Sequence, residues 1–569
     1  MKHYTIRKDE AGQHEVDCPL KGQALLSHPM FNKGSAFTKE ERETFELKGL
    51  LPDAVSTFDL QVSRAYQRIM RKTDALERYI GLAALQDRNE ILFYRVVLNH
   101  LEEIAPIVYT PTVGLACERY SHIFRRGRGL IITPENKGQI FELLGRAPFH
   151  DVKLIVATDN EGILGLGDQG VGGIGIPIGK LTLYTVGAGI HPSQVLPISL
   201  DVGTDNQSLL DDELYLGWRH PRLKGAAYDE IIEEFVDALK RRFPSALLQW
   251  EDFSKGTAFS LLDRYREKIL SFNDDIQGTA SVALSAVMAA ARISKVPMKE
   301  QRIVIMGAGA AGIGIGRQLR DALKRQGVQG DALIRSIALL DSSGLLHDGR
   351  TVSDTYKREF VWPARVAEEL GISGDKVDLL SVVRALKPTV LIGTSGQPNS
   401  FTEEICRTMA QHTERPLICP LSNPTANSEA VPADIIRWTE GRATIATGSP
   451  FAPVQYEGKE FKIGQANNVF IFPGVGLGAL AVQASKVTEP MFTAAANQLA
   501  NSLSDDDLNA GLLFPTLKSL RRVTEEIAIA VGKEAIREGV TENVNESQVA
   551  ERVASVMWEP NYPRLKPIT

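Results

Sequence analysis

The sequence predicts an α/β protein that begins with a helical domain, and three observations lead to this class. From about residue 40 to residue 107, apolar residues recur at three- and four-residue spacing, which is typical of amphipathic helices. From about 153 onward, short apolar runs end in glycine-rich turns and alternate with helical stretches. A second segment of this kind begins near 301, so we expect the 569 residues to form more than one core.

The strands and helices of both α/β units can be predicted from these runs. In the first unit the strand-like and turn-like runs are KLIVATD, GILGLGDQG, KLTLYTVGAG and VLPISLDVG, and YDEIIEEFVDALKRRF is a helical stretch. In the second unit, RIVIMG and SIALLDSSG are predicted strands that flank a helix, and TVLIGTSG, PLICPLSNP and ATIATGSP are further strands. After Phe470 the periodicity is helical again, up to a proline-containing tail.

Composition and charge restrict the class of protein. With 43% hydrophobic and 24% charged residues, the chain resembles an ordinary soluble globular protein. Its net charge of −6 offers no basic excess for nucleic acid or an anionic membrane. The four cysteines show no CxxC spacing, no apolar signal segment is visible, and the apolar run around 283 to 291 is too short for a bilayer. We therefore expect a cytoplasmic protein without a nucleic-acid or membrane partner.

The motif GxGxxG occurs twice, and the second copy has the context of a dinucleotide site. Gly307, Gly309 and Gly312 follow the strand RIVIM and precede a helix, and Asp341 ends the next strand. Glycine lets the backbone approach a pyrophosphate, the helix N-terminus offers free N–H groups, and the carboxylate accepts ribose hydroxyls. This copy predicts a nicotinamide dinucleotide site; the alternative is a tight turn that binds nothing.

The first copy lacks that context. It begins at Gly165, and the stretch after it, GVGGIGIPIG, is rich in turn-forming residues. Pro177 is expected to interrupt any helix there. We interpret this segment as closely packed loop backbone near an active site, ending in Lys180.

Two carboxylate doublets are candidates for a metal site. Glu251-Asp252 and Asp274-Asp275 each follow an apolar or aromatic run, where a buried carboxylate needs a hydrogen bond, an ion pair or a metal. Hard oxygen ligands suit Mg2+ or Mn2+. The alternative is that Asp275 caps the helix that follows it.

A lysine and a tyrosine could complete the chemistry. Lys180 follows GIPIG, and a lysine whose pKa is lowered in a partly buried site can act as a base. Tyr109 lies where the helical region ends, and its phenol could deliver a proton to an enolate. For each residue taken alone, the simpler interpretation is favoured, namely an ion pair with a carboxylate for Lys180 and plain packing for Tyr109.

Eight motifs in fixed order resemble a known family. They are YTPTVG, GLGDQGVGGIGIPIGKL, LDVGTDN, WEDF, FNDDIQGTA, LSNPT, ATGSPF and NNVFIFPG. Over about residues 26 to 558 the sequence is similar to the large-subunit malic enzymes. The resemblance implies oxidative decarboxylation of (S)-malate to pyruvate and CO2, with reduction of NAD or NADP and a requirement for Mg2+ or Mn2+.

The resemblance also implies a role for each matching residue. The implied catalytic residues are Tyr109 as general acid, Lys180 as general base and Asp274 as the carboxylate that orients the lysine. The implied metal ligands are Glu251, Asp252 and Asp275. The implied amide contacts are Asn423 and Asn468 to the substrate, and Asn423 and Asn467 to the cofactor.

The family's fold implies a discontinuous organisation. A Rossmann-like dinucleotide-binding domain, residues 274–462, would be inserted in an α/β substrate domain made of 127–273 and 463–535. A helical N-terminal domain, 1–126, and a C-terminal helical tail, 536–569, would complete the chain. The resemblance further implies a homodimer or homotetramer.

One position departs from the family pattern. Many malic enzymes have an arginine for the substrate carboxylate just before ILGLGD, where this sequence has Gly162. Candidates to replace that charge are Arg119, Arg125 and Arg126.

The nicotinamide cofactor is also left open. Asp341 favours NAD, because a carboxylate repels the 2′-phosphate of NADP. Lys357 and Arg358 lie downstream and could contact such a phosphate. NAD is therefore the predicted cofactor, with NADP as the alternative.

Two other functions are compatible with this sequence. A malolactic enzyme, which retains NAD and converts malate to lactate, shares the glycine at 162, although GIGIPIGK is more similar to malic enzymes. The other alternative is an inactive regulatory homologue. The joint presence of acid, base and metal-ligand candidates counts against it, because a binding module needs none of them.

Overall fold

The computed structural model describes residues 6–8, 14–163, 165–372, 374 and 376–568. It confirms the predicted α/β class, with a helical region first and two predominantly parallel sheets after it.

The N-terminal unit is mainly helical. Strands β1 (Ile6–Lys8) and β2 (His14–Cys18) precede its helices. Helices α1 to α8 span Gly22–Leu26, Lys39–Thr44, Phe58–Met70, Ala75–Arg88, Glu90–Asn99, Leu101–Val108, Thr112–Glu118 and Tyr120–Ile123. Four of these described helices start at polar caps, since the side chains of Thr38, Thr57, Asp74 and Asn89 accept hydrogen bonds from the first turns of α2, α3, α4 and α5. The unit therefore has the helical content that its periodicity predicts.

A parallel sheet of five strands forms the first α/β unit. Strands β3 to β7 span Leu130–Ile132, Leu154–Thr158, Val195–Leu200, Leu247–Trp250 and Ser271–Asn273, and lie in the order β3-β5-β4-β6-β7. Helices α9 to α13 span Ile140–Leu144, Gly175–Ala188, Gln207–Leu210, Ala226–Arg242 and Lys255–Tyr265. Every residue of β4 and β6 is buried, as in a sheet covered on both faces. Because all pairs are parallel, the carboxyl ends of the strands meet at one edge.

Helix α10 corrects one prediction. Pro177 was expected to interrupt any helix, but it lies in the first turn of α10, where a missing N–H leaves no hydrogen bond unmade. Lys180 is therefore a helical residue, not the end of a loop. The helix is buried along nearly its whole length, so its sequence lacks the polar stripe that marks a surface helix.

The second α/β unit contains a seven-stranded sheet. Its helices α14 to α21 span Thr279–Ser294, Ala310–Arg325, Gly330–Ser336, Thr355–Arg358, Ala364–Glu369, Leu379–Leu386, Glu403–His412 and Pro432–Trp438. Strands β8 to β16 span Ile303–Met306, Ile337–Asp341, Gly344–Leu345, Val390–Gly393, Leu417–Pro420, Thr444–Thr447, Val454–Tyr456, Lys459–Phe461 and Gly464–Gln465. The sheet order is β10-β9-β8-β11-β12-β13-β16, while β14 and β15 pair separately.

All pairs in this sheet are parallel except β9 with β10. Strand β8 lies between β9 and β11, so the chain reverses its direction of winding beside β8. In sheets of this kind ligands bind outside the carboxyl ends of the strands at that point.

Five C-terminal helices follow the second unit, and some of them pack back against the first unit. Helices α22 to α26 span Phe472–Ala481, Glu489–Asn501, Asp505–Asn509, Leu520–Arg537 and Val549–Val556. Helices α22 and α25 contact each other and α10, and α23 contacts α14. This return of the chain is what a discontinuous domain requires, although the four predicted domain boundaries stay a prediction.

The tail is not purely helical. After α26 it contains strand β17 (Arg564–Pro567), which pairs in parallel with β2 and completes a three-stranded sheet with β1. The helical description of residues 536–569 is therefore incomplete. Strands of three to five residues carry too little alternation to be recognised from sequence.

Among the described residues, one helix is long and apolar enough to cross a membrane. It runs from Asp274 to Ser294, 21 residues, longer than the apolar run judged from sequence. Of its most apolar window, 72% is buried inside the protein. This segment, a π-helical turn (Asp274–Gly278) continued by α14, has the burial of a core helix.

The contact between α22 and α25 provides a test of the packing. An added Cβ at Gly478 would lie 2.6 Å from Ala528 O and 2.9 Å from Val531 Cβ. We expect Gly478→Ala to lower the free energy of unfolding by about 1–3 kcal/mol, because overpacking pushes the helices apart. Thermal unfolding measured by circular dichroism reports the change.

Gly256→Ala is the matched control. Gly256 lies in α13, and an added Cβ there meets no atom within 4 Å. We expect this variant to be more stable by about 0.5–1 kcal/mol, because alanine loses less backbone entropy in a helix. Equal apparent Tm values for the two variants would contradict the close packing at Gly478.

Candidate active site

All three predicted metal ligands lie together at the carboxyl edge of the first sheet. Glu251 follows β6, and its N–H donates to Ala157 O on β4 at 3.0 Å, so its backbone continues the hydrogen bonding between these two strands. Asp275 lies in the π-helical turn after β7. Glu251, Asp252 and Asp275 each place a carboxylate oxygen within 4.8 Å of the others. The structure thus brings together two doublets that are more than 20 residues apart in the chain.

The local backbone fixes this cluster. Asp252 has a φ of 55°, in the left-handed region that few non-glycine residues adopt. Its N–H donates to Asp275 Oδ2 at 2.8 Å, which ties one doublet to the other. The alternative role of Asp275 as a helix cap is not observed, because Asn273 caps this turn by accepting a bond from Ile276 N.

The donor set fits a hard divalent cation. Glu251 and Asp252 are buried and Asp275 is half-buried, and burial raises the pKa of Asp275 to about 6. Carboxylates gathered out of water repel one another unless a positive charge offsets them. Mg2+ and Mn2+ prefer oxygen ligands of this type, so the residues present are suited to either ion.

Lys180 is buried beside this cluster with 1% of its surface exposed. Its Nζ contacts the Asp274 carboxylate and lies 2.9 Å from Glu251 Oε1. The ring of Phe472 lies 4.4 Å from the same nitrogen. Burial lowers the pKa of Lys180, but the Asp274 and Glu251 carboxylates outweigh it and hold this pKa well above its usual range. The amine is therefore protonated when these carboxylates are its only charged neighbours.

Tyr109 lies with its aromatic ring close to the amine of Lys180. It follows α6 directly, is 7% exposed, and its ring centroid is 5.4 Å from Lys180 Nζ. Burial raises the pKa of Tyr109 well above its usual range. The phenol consequently keeps its proton at neutral pH, which is the state that a proton donor requires.

The three predicted asparagines occupy different positions. Asn468 Nδ2 donates to Asp274 Oδ2 at 3.0 Å and therefore belongs to the carboxylate cluster. Asn467 Oδ1 accepts from Val469 N at 3.0 Å and caps the turn that carries Asn468. Asn423 is exposed beyond β12, where its Oδ1 accepts from Ser449 Oγ at 2.6 Å. Of these three asparagines, only Asn468 has a hydrogen bond to a predicted catalytic residue among the described contacts.

The second glycine fingerprint has the geometry of a dinucleotide turn. At Gly307, with a φ of 119°, an added Cβ would lie 2.5 Å from Thr394 C, and at Gly312 it would lie 1.8 Å from Gly307 O. At Gly309, which precedes α15, an added Cβ meets nothing within 4 Å. Two glycines thus close the turn, and the middle one faces open space at a helix N-terminus. That space fits a pyrophosphate.

Asp341 ends β9 as predicted, but two cations already contact it. Lys357 Nζ donates to Asp341 Oδ2 and Arg350 Nη2 to Asp341 Oδ1, both at 2.8 Å. Burial raises the pKa of Asp341, but the bonds from these cations outweigh it and lower the pKa. Arg358 instead donates to Val352 O. The sequence carries no signal for Arg350, which reaches back from the loop after β10.

Gly162 is held by close backbone contact with the loop that carries Asp252 and Phe253. Its N–H donates to Asp252 O at 2.9 Å, and an added Cβ would lie 2.7 Å from Phe253 O. Of the proposed replacement cations, Arg125 and Arg126 line a cavity with Ile178 and Thr182. Ile178 and Thr182 lie on the face of α10 opposite Lys180, so this cavity is not on the side of the carboxylate cluster. Arg119 is exposed at the end of α7.

Arg222 orders the loops around the site and was not predicted. It is buried, its Nη1 donates to Asp159 O at 2.8 Å, and its Nε donates to Asp168 Oδ2 at 3.1 Å. It thereby joins the loop after β4 to the first glycine fingerprint. A single arginine in a loop has no spacing that would reveal this role in the sequence.

Family models match most of the chain. A model described as the malic enzyme N-terminal domain matches residues 86–266, and one described as the malic enzyme NAD binding domain matches residues 276–536. Both match in the chain order that the structure shows for its two α/β units.

Named relatives are similar over nearly the full length. An NAD-dependent malic enzyme of Sodalis glossinidius is 47% identical over 544 residues, covering 96% of each chain. One of Photorhabdus laumondii is 48% identical over 554 residues, covering 97% of this chain and 98% of that one. In fold, the chain is similar to the malic enzyme of Entamoeba histolytica, with a TM-score of 0.56, 23% identity and coverage of 90% and 91%.

Substitution of Gly162 tests its contact with the carboxylate cluster. We expect Gly162→Ala to raise the dissociation constant for Mn2+ by about 10-fold or more, because the added Cβ displaces the backbone that carries Asp252. Electron paramagnetic resonance of free Mn2+ measures the binding. In the control variant Gly81→Ala the added Cβ meets only side-chain atoms, the nearest at 3.6 Å. Unchanged Mn2+ affinity in Gly162→Ala would show that the loop does not depend on glycine here.

Proposed function

The chain belongs to the malic enzyme family, and we propose that it oxidises (S)-malate with NAD and releases CO2 and pyruvate with the help of Mg2+ or Mn2+. One observation carries the proposal. The buried amine of Lys180 lies between Asp274 and Glu251, beside the cluster of three carboxylates. Burial of so many charged side chains is unfavourable, and a binding module would not require it.

The divalent cation would be held by Glu251, Asp252 and Asp275. When bound, it would polarise the malate oxygens that it contacts and, by its positive charge, lower the pKa of the neighbouring Lys180 amine. Glu251 and Asp275 come from neighbouring strands, β6 and β7, so the rigid sheet sets their separation.

The dinucleotide would be held by the second glycine fingerprint and the edge beside it. Bound NAD supplies the hydride acceptor. The residues proposed to hold it are Gly307, Gly309, Gly312, Asp341, Asn423 and Asn467. An added Cβ at Gly165 would lie 3.0 Å from Asn423 O, so the loop of the first sheet approaches the edge of the second. This closeness supports a shared cleft for malate and cofactor.

Lys180 is the proposed general base. Its deprotonated Nζ accepts the proton of the C2 hydroxyl of malate while hydride leaves C2. Asp274 and Glu251 hold the amine in place, and Asn468 holds the Asp274 carboxylate. The Phe472 ring covers the amine, which limits the entry of water. Asn468 and Asn423 are the proposed amide contacts to malate.

Tyr109 is the proposed general acid. When the bond between C3 and C4 breaks, CO2 leaves and an enolate remains, and the phenol of Tyr109 donates its proton to C3 to give pyruvate. The ring centroid of Tyr109 lies 5.4 Å from Lys180 Nζ, which supports a proposal in which both act on one substrate molecule.

The assembly and compartment are further parts of the proposal. We expect a homodimer or homotetramer in the cytoplasm, with the domain boundaries predicted from the sequence. All four cysteines are buried and unbridged, which agrees with a reducing compartment.

Product analysis with malate, Mn2+ and NAD tests the reaction. We expect equal amounts of NADH and pyruvate, and a kcat for Lys180→Ala that is lower by about 10²–10⁴-fold, because the base is lost. Lys33→Ala is the control, since Lys33 is also buried and paired, with Glu41 at 2.6 Å, but lies in the N-terminal unit. Lactate without net NADH would favour the malolactic alternative. Absence of turnover with either cofactor would favour the inactive homologue.

Substitution of Asp341 tests the choice of cofactor. We expect Asp341→Ala to raise the ratio of kcat/KM for NADP to that for NAD by about 10-fold, because Lys357 and Arg350 become free to contact a 2′-phosphate. Steady-state kinetics with both cofactors measure this ratio. In the double variant Asp341→Ala/Lys357→Met, this increase in the ratio should be smaller, because one of the two cations has been removed. A ratio that stays constant in Asp341→Ala would mean that Asp341 does not set the preference.

A further inference from the structure

A buried chain of hydrogen bonds leads from Tyr184 to the proposed metal ligand Glu251. The hydroxyl of Tyr184 donates to Gln249 Oε1, and Gln249 Nε2 donates to Glu251 Oε2 at 2.7 Å. Tyr184 and Gln249 are 0% exposed and Glu251 is 1% exposed. The roles proposed above leave this chain without a function.

Regular secondary structure places these residues next to each other. Tyr184 lies one turn after Lys180 on α10, so both side chains are on the same face. Gln249 and Glu251 are two residues apart along β6 and its extension, and therefore point to the same side of the sheet. Lys180 Nζ also lies 2.9 Å from Glu251 Oε1, so this ion pair on one oxygen and the hydrogen bond from Gln249 on the other both link Glu251 to its neighbours.

The direction of the bonds is fixed by chemistry. In the form that binds a cation Glu251 is ionised, and an ionised carboxylate only accepts hydrogen bonds, so Gln249 turns its NH2 group toward Glu251. Its carbonyl oxygen then faces Tyr184, whose hydroxyl must donate. The carboxylate therefore sets the orientation of the amide, the phenol holds the amide carbonyl in that orientation, and the amide donates to one oxygen of Glu251.

The phenol itself is held firmly. Its ring lies 4.9 Å from the ring of Phe472, centroid to centroid. An added Cβ at Gly476 would lie 2.7 Å from Tyr184 Cε1, so α22 packs directly against the ring. Tyr184 thus has no room to turn away from Gln249.

We propose that Gln249, held in place by Tyr184, is a positioning residue that fixes the rotamer of Glu251 and keeps Oε1 of that carboxylate directed toward Lys180 and the cation site. The inference rests on the cation site of the proposed function and extends it to two residues that do not touch the ion. Hydrogen-bond partners of metal-binding groups hold those groups in the binding geometry, and their loss weakens metal binding.

Direct binding of Mn2+ tests the inference without turnover. Free Mn2+ is measured by electron paramagnetic resonance with the full-length protein in the absence of malate and NAD. We expect Gln249→Met to raise the dissociation constant for Mn2+ by about 10–100-fold, because Glu251 loses the donor that orients it. Tyr184→Phe removes one hydroxyl and should act in the same direction with a smaller effect.

The double variant separates a chain from two independent effects. If Tyr184 acts through Gln249, Tyr184→Phe/Gln249→Met binds Mn2+ as Gln249→Met does. If the two single increases in the dissociation constant for Mn2+ instead multiply in the double variant, Tyr184 and Gln249 act independently and the proposal is overturned. Because Tyr184→Phe keeps the ring and its packing, it tests the proposal even where Gln249→Met fails to fold.

Two controls separate positioning of the ligand from loss of structure. Gln318→Met removes another buried amide, which bonds to Ser281 in the second α/β unit, and should leave Mn2+ binding unchanged. NADH binding, followed by fluorescence, should be unchanged in Tyr184→Phe and Gln249→Met. A parallel loss of NADH and Mn2+ binding, or Mn2+ affinity equal to that of the parent protein in both variants, overturns the inference. If the parent protein itself binds no Mn2+, the proposed function fails first.

Discussion

One buried ammonium group among four carboxylates is the constraint on which the site depends. Lys180 contacts Asp274 and Glu251, and Asp252 and Asp275 complete the group. A single positive charge cannot balance four negative ones away from water, so the arrangement is unfavourable unless a cation joins it. The surrounding fold must hold the carboxylates together against their repulsion. Rigid parallel strands, a helix buried along most of its length and a left-handed backbone at Asp252 meet that requirement.

The two sheets contribute different parts of the proposed chemistry. The carboxyl edge of the first sheet carries charged groups on short turns after β6 and β7. The corresponding edge of the second carries glycine turns and the helix N-terminus of α15. The approach of the loop at Gly165 to Asn423 joins the two edges. A substrate held at the first edge therefore lies within reach of a nucleotide held at the second.

The parts of the structure that could be predicted are those with regular spacing. The strand, glycine turn and helix at Gly307 follow a fixed pattern, and the carboxylate doublets follow recognisable strands. The position of Pro177 was misjudged because a proline breaks a helix only beyond its first turn. Arg222 bonds to residues 54 and 63 positions away and Tyr184 to a residue 65 positions away, and no local pattern in the sequence encodes such contacts. The β2–β17 pairing was hidden for the same reason.

That pairing has a consequence for synthesis of the chain on the ribosome. Strand β17 completes the sheet begun by β2, and Tyr562 donates to Gln61 while accepting from Asn89 in the N-terminal unit. These partners are separated by about 470 to 500 residues. Residues of the N-terminal unit thus lack part of their hydrogen bonding until the segment 562–567 has been translated. Until then one edge of β2 has no partner strand, and such an exposed sheet edge needs protection from other nascent chains.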